Sequence, residues 1–176
     1  VGAAVVTAYA LTVDAGARDL RTADHLLHRL ADRLALPADT VGCTHLVRDG
    51  RPRVVVSLSL PSASLLDTVR ERLAEGEHGA VSAGLPDPSG RAVLYPGASR
   101  LTGTLTVGEL LECSAIDRVT VLGSPLPPEP EARMVTRDHV RPQWQGGALV
   151  LAATPALGDT LVPFEAPDPT PCCADH

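Results

Sequence analysis

The chain contains no lysine and no asparagine, and it has single copies of isoleucine (Ile116), methionine (Met134), phenylalanine (Phe164) and tryptophan (Trp144). Without lysine there can be no Schiff base, no pyridoxal phosphate attachment and no Walker-type phosphate-binding lysine. Without asparagine there is no Cys-His-Asn triad and no N-glycosylation acceptor. The missing and scarce residue types mostly have A/T-rich codons, which points to a GC-rich bacterial genome. The 2% aromatic content therefore needs no disorder to explain it, and Val, Leu and Ala must fill the core.

With 44% apolar residues over 176 positions, the chain suits one domain of ordinary size or a small domain with an extension. A formal net charge of −6 argues against nucleic-acid or anionic-membrane partners, both of which need a positive field. No apolar run approaches the length that spans a bilayer. The apolar stretch Val1 to Val13 lacks the basic start of a secretory signal, since its first cation is Arg18 and it includes Thr7, Tyr9 and Thr12. A cytoplasmic location is expected, with the four cysteines acting as thiols or ligands rather than as a disulfide framework.

Along the chain, the β-branched run Ala3 to Val13 reads as a strand broken by Asp14-Ala15-Gly16. Leu26, Leu27, Leu30 and Leu34 at helical spacing predict a helix from Thr22 to Leu36, stopped by Pro37. Val41 to Val47 and Arg53 to Leu60 flank Asp49-Gly50, a hairpin signal because that pair tolerates positive φ. Leu65, Leu66, Val69 and Leu73 mark a second helix after Pro61-Ser62, and Ala80 to Leu85 or Ala92 to Tyr95 supplies a fourth strand. This β-α-β-β-α-β order predicts a ferredoxin-like region over residues 1–98.

Residues 99–165 are expected to be mostly β with one short helix. Thr106 with Glu109 resembles a capping box, the helix runs through Cys113, and Arg118 to Leu122 reads as a strand. Beyond a proline-rich connector, Arg133 to Val140, Ala148 to Ala153 and Thr160 to Phe164 read as strands. Pro163, Pro167, Pro169 and Pro171 lead into an extended tail over residues 166–176. The expected class is therefore α+β, a ferredoxin-like half followed by a mostly β half and a Pro-rich tail.

Two constellations carry candidate chemistry. The tail Cys172-Cys173-Ala174-Asp175-His176 concentrates thiols and an imidazole that suit zinc or copper. A closed zinc site wants four ligands, so the tail must borrow from Cys43 and His45, which share a strand face, or from His25 and His28, neighbours on a helix. Adjacent cysteines also permit a thiol switch. In the second constellation, period two over the expected strand places Arg133, Arg137, His139 and Arg141 on one face, near Trp144, as a pocket for a small anion. The same charges suit an exposed strand edge that discourages aggregation. No Gly-x-Ser-x-Gly elbow, phosphate-binding loop or Cys-x-x-Cys is present.

The leading expectation is an accessory or regulatory binding protein whose tail holds a soft metal or acts as a thiol switch, with a protein partner. The alternatives are a small-molecule biosynthetic enzyme, in which Arg137, His139 and Arg141 grip an anionic substrate while His139 moves a proton, and a structural subunit of a homo-oligomer.

Overall fold

In the computed structural model, which describes residues 9–167, apolar alternation and helical spacing become three α-helices and an 11-stranded sheet, a mixed α+β architecture that is mostly β. Strand β1 (Ala10–Ala17) continues through Asp14-Ala15-Gly16 instead of breaking there. The segment is absorbed as an irregularity: the pairing of β1 slips between Val13 and Ala17, Gly16 takes a φ of 69°, and its N–H donates to the Asp14 carboxylate. Residues 1–8, which include the start of the expected strand, lie outside the described residues.

Helix α1 (Leu20–Leu34) starts at Asp19, whose carboxylate accepts the Thr22 N–H at 2.7 Å, and ends at Ala35 in the left-handed conformation, before Pro37. Strands β2 (Val41–Val47) and β3 (Arg53–Ser59) pair antiparallel across Asp49-Gly50, where Gly50 has a φ of 78°. Helix α2 (Ala63–Ala74) is capped by Ser62. Both alternatives for the next strand form: β4 (Ala80–Ala83) pairs with β1, and β5 (Arg91–Leu94) pairs with β2 on the opposite flank. The order is β4-β1-β3-β2-β5, with antiparallel neighbours throughout.

Leu27 and Leu30 of α1 and Val69 and Leu73 of α2 join Leu11, Val13, Val56 and Leu58 in one buried cluster, so both helices cover one face of these strands. Each such side chain contributes roughly 1.5–3 kcal/mol on burial. A one-residue slip of a strand would turn its whole set to the other face, so burial fixes the register. The opposite face carries Thr12, Cys43, His45, Ser57 and Ser59, all buried and mostly polar.

The sheet continues beyond β5. Strand β6 (Thr104–Thr106) leads into helix α3 (Val107–Cys113) through the expected capping box, in which Thr106 and Glu109 bond each other's backbone N–H groups. Strands β7 (Arg118–Val121), β8 (Arg133–Val135), β9 (Gln143–Gln145), β10 (Ala148–Ala156) and β11 (Thr160–Pro163) follow. From β5 the order runs β9-β10-β11-β8-β6, with β7 parallel to β10. Leu110, Met134, Leu149 and Leu151 centre a second buried cluster with Tyr95 and Val119.

The strand expected over Arg133 to Val140 is shorter, ending at Val135. Arg137 and Asp138 adopt φ values of 55° and 52°, outside any strand geometry. Their turn is held to Gly103: Thr136 donates N–H and hydroxyl to the Gly103 carbonyl, and Asp138 accepts the Gly103 N–H at 2.9 Å. Period two therefore does not govern residues 136–141. Among the described residues no helix is long and apolar enough to cross a membrane.

Candidate functional site

Strand β5 lies between the two clusters, pairing through Arg91 with Thr44 of β2 and with Gln143 of β9. Its first side chain is a guanidinium that is only 8% exposed, an expensive place for a charge unless every donor is met. Arg91 Nη1 and Nη2 grip both oxygens of Asp24 on α1, at 2.6 and 3.1 Å. Nε donates to Glu165 at 2.7 Å and Nη2 to the other oxygen of the same carboxylate. With Thr44 Oγ1 at 3.3 Å from Nη1, all five N–H donors have acceptors.

One cation against two carboxylates leaves a deficit that residues 139–141 fill. Arg141 Nε donates to Asp24 at 3.1 Å, and His139 Nε2 lies 3.0 Å from Glu165. A carboxylate only accepts, so that imidazole nitrogen carries its proton. Burial pushes the Asp24 carboxyl up, but Arg91 and Arg141 outweigh it and hold the group below its usual range. Burial acts on Glu165 the same way and is again outweighed, by Arg91 and His139.

These groups form one wall of a cleft of about 850 Å³, closed on its other sides by the first turns of α1, with Arg21, His25 and His28, and by Ala166 and Pro167. Arg141 also donates from Nη1 to the Val140 carbonyl at 3.3 Å, while its Nη2 has no hydrogen bond among the described residues. Burial lowers the pKa of His28, and the nearby Arg141 charge lowers it further. Among the described residues the cleft thus presents the Nη2 edge of Arg141 over a floor whose charges offset one another.

His139 and Arg141 both reach the ion group, through Glu165 and Asp24, from a turn and not from a strand face, and the rest of the anion set lies apart from them. Arg133 and Arg137 are exposed, and Arg137 sits at the apex of the left-handed turn. Trp144 lies instead with Cys43 and His45, lining a different cavity of about 280 Å³. Cys43 and His45 do share a face, as their spacing requires. Thr44, one residue away, points to the α1 side and meets Arg91. Burial pushes the Cys43 thiol up to about 12, so at neutral pH it is a protonated thiol. Among the described residues no group of three or more His, Cys, Asp or Glu is placed to hold a metal ion. Cys172, Cys173 and His176 lie outside the described residues.

Sequence reasoning missed Asp24, Arg91 and Glu165. A signal existed for Asp24, which falls on the apolar stripe of α1 between Ala23 and Leu27, where a carboxylate demands a buried cation. Arg91 heads the apolar run Ala92-Val93-Leu94, an equally odd place for a charge. Nothing local marks Glu165, which is brought in from 74 residues beyond Arg91.

In the second cavity, His45 Nε2 lies 2.8 Å from Ser57 Oγ, and His45 Nδ1 lies 3.2 Å from Asp87 Oδ2. The other Asp87 oxygen is fixed by Ser89, which donates its N–H at 2.8 Å and its hydroxyl at 2.6 Å. Gly90 is needed beside them, because a Cβ there would fall 2.9 Å from both Cys43 Cβ and His45 Cε1.

Removing the central cation should leave Asp24 with only Arg141 and Glu165 with only His139 as partners, so Arg91→Met is expected to cost about 3 kcal/mol in urea unfolding at neutral pH, the low end for breaking a buried ion group. In the intact protein the Asp24 and Glu165 values lie below the ordinary 3.8 and 4.5 of the unfolded chain. Their stabilisation is therefore complete above that range and is lost as pH falls through the lowered folded-state values. Arg91→Met should show a shallower loss of stability with acid than the wild type. No family model, curated protein or solved structure matches the chain, so the site is read from its geometry.

Proposed function

We propose that the protein works by binding, and that the cleft between α1, β5 and residues 139–167 takes a small oxyanion, a carboxylate or a phosphate, on Arg141. The observation that carries this reading is the division of labour in one guanidinium. Its Nε and Nη1 are anchored by Asp24 and the Val140 carbonyl, while Nη2 has no hydrogen bond among the described residues and borders a cleft of about 850 Å³. A side chain already held in place loses little freedom on binding, and a planar fork suits an oxyanion. The strand order β4-β1-β3-β2 with both helices on one face supports the ferredoxin-like reading of the N-terminal half.

Calorimetric titration with inorganic phosphate and with succinate tests the proposal. At least one should bind, and Arg141→Gln should weaken it about 10- to 100-fold, the equivalent of a charge-assisted hydrogen bond of about 1.5–3 kcal/mol. Failure of both to bind, or equal binding by the variant, would contradict it. Because the pKa of His28 lies below the ordinary 6.5, this ring is neutral at pH 7 and gains its charge only in more acid solution. Anion affinity should therefore rise as pH is lowered below 6.5, and His28→Gln should flatten that rise.

A second reading is favoured by one further observation: Pro167 lines the same cleft as His25 and His28. Cys172 follows five residues later, a reach of up to roughly 17 Å for extended chain. The tail thiols and His176 can therefore meet the helix imidazoles around zinc or copper more directly than they can meet Cys43 and His45, which face the other side of the sheet. Native mass spectrometry of the chain with and without residues 172–176 decides the matter. A metal adduct that needs those residues supports this reading, and metal-free masses for both forms would remove it.

A further inference from the structure

The polar face of the N-terminal strands holds a second arrangement, independent of the cleft. Ser57 on β3, His45 on β2 and Asp87 in the loop between β4 and β5 form a chain of hydrogen bonds, 2.8 Å from hydroxyl to imidazole and 3.2 Å from imidazole to carboxylate. The direction of the proton follows from the acceptors. Asp87 can only accept, so His45 Nδ1 carries the hydrogen and Nε2 is left to accept from the Ser57 hydroxyl. Asp87 is itself held in one orientation by the backbone and hydroxyl of Ser89. This is the order nucleophile, base, orienting carboxylate that activates a serine for acyl transfer on several unrelated folds.

The surroundings select among possible nucleophiles. Cys43 is the cross-strand partner of Ser57 and lines the same cavity, but burial holds its thiol protonated and no base contacts it among the described residues. Ser57 is only 2% exposed overall, yet it lines the 280 Å³ cavity, where Leu85, Pro88 and Trp144 supply apolar wall beside Ser59, Ser89 and two glycines. A cavity at the small end of ligand pockets, with an apolar side facing Ser57, suits a short acyl group better than a large one.

We propose that Ser57, His45 and Asp87 form an acyl-transfer site for small apolar esters. Ser57 Oγ bonds to the ester carbonyl carbon while its proton passes to His45 Nε2. The tetrahedral adduct then breaks its bond to the alcohol oxygen, which leaves with that proton and gives acyl-Ser57. Water attacks the acyl carbon, His45 takes a proton from it, the bond to Oγ breaks, and the proton returns to Ser57. Ester and water become acid and alcohol with no change of oxidation state. The sequence showed no spacing for this arrangement because its members come from three separate segments, and only β2 and β3 pairing brings the first two together.

The test uses p-nitrophenyl acetate with the full chain. The wild type should release nitrophenolate faster than buffer, and peptide mapping by mass spectrometry after rapid acid quench should place the acetyl group on Ser57. Ser57→Ala and His45→Gln should each lower turnover at least about 100-fold, the usual range for loss of a nucleophile or general base. Asp87→Asn, which still bonds the ring but favours the wrong tautomer, should lower it less severely. Turnover no faster than buffer, an acetyl group found only on other residues, or undiminished turnover by Ser57→Ala would overturn the proposal. The mapping on wild-type protein stands even if a variant fails to fold. Phosphate or succinate binding in the cleft bears on neither outcome.

Discussion

The rest of the structure depends on one guanidinium. Arg91 stands on the strand shared by the two hydrophobic clusters, and its donors reach α1 through Asp24, β2 through Thr44 and the segment after β11 through Glu165. A buried ion group of this kind is not a cheap source of stability, because desolvating three charges offsets much of their attraction. What it supplies is position. Each carboxylate has two oxygens and each is gripped by a fork, so the ends of the network can meet in only one arrangement.

That arrangement prepares the cleft. With Asp24 shared between Arg91 and Arg141, and Glu165 shared between Arg91 and His139, the negative charge of the floor is balanced. The two faces of β2 then divide the chemistry between them. Thr44 belongs to the ionic cleft, while Cys43 and His45 on either side of it belong to the polar face with Ser57. The alternation of a strand is enough to keep an ion-lined cleft and a small apolar-walled cavity apart on a chain of this size.

Much of the architecture was legible in the sequence where the signal is local. The leucine spacing of α1, the Asp49-Gly50 turn and the Thr106 capping box each depend on residues a few positions apart, and each is seen in the structure. Strands β6 and β9 were not legible, since three residues are too few to show a period. The strand expected over residues 133–140 failed for a different reason: two consecutive left-handed residues bonded to a distant glycine override a clean alternation. Of the site residues, His139 and Arg141 were visible as charge on a β-like run, although the geometry that joins them is a turn. Ser57, Asp87 and Glu165 carry no local mark, because their partners lie 12 to 74 residues away.

Arg91 and Glu165 tie the N-terminal strands to the segment after β11 through a shared, partly buried ion group. A double-mutant cycle with Arg91→Met, Glu165→Gln and the combined variant, followed by urea unfolding at neutral pH, measures that tie directly. The account predicts a coupling energy of about 1–3 kcal/mol between these two positions, well above the few tenths found for independent sites. Additive effects of the two substitutions would contradict it and would reduce the network to a set of separate surface charges.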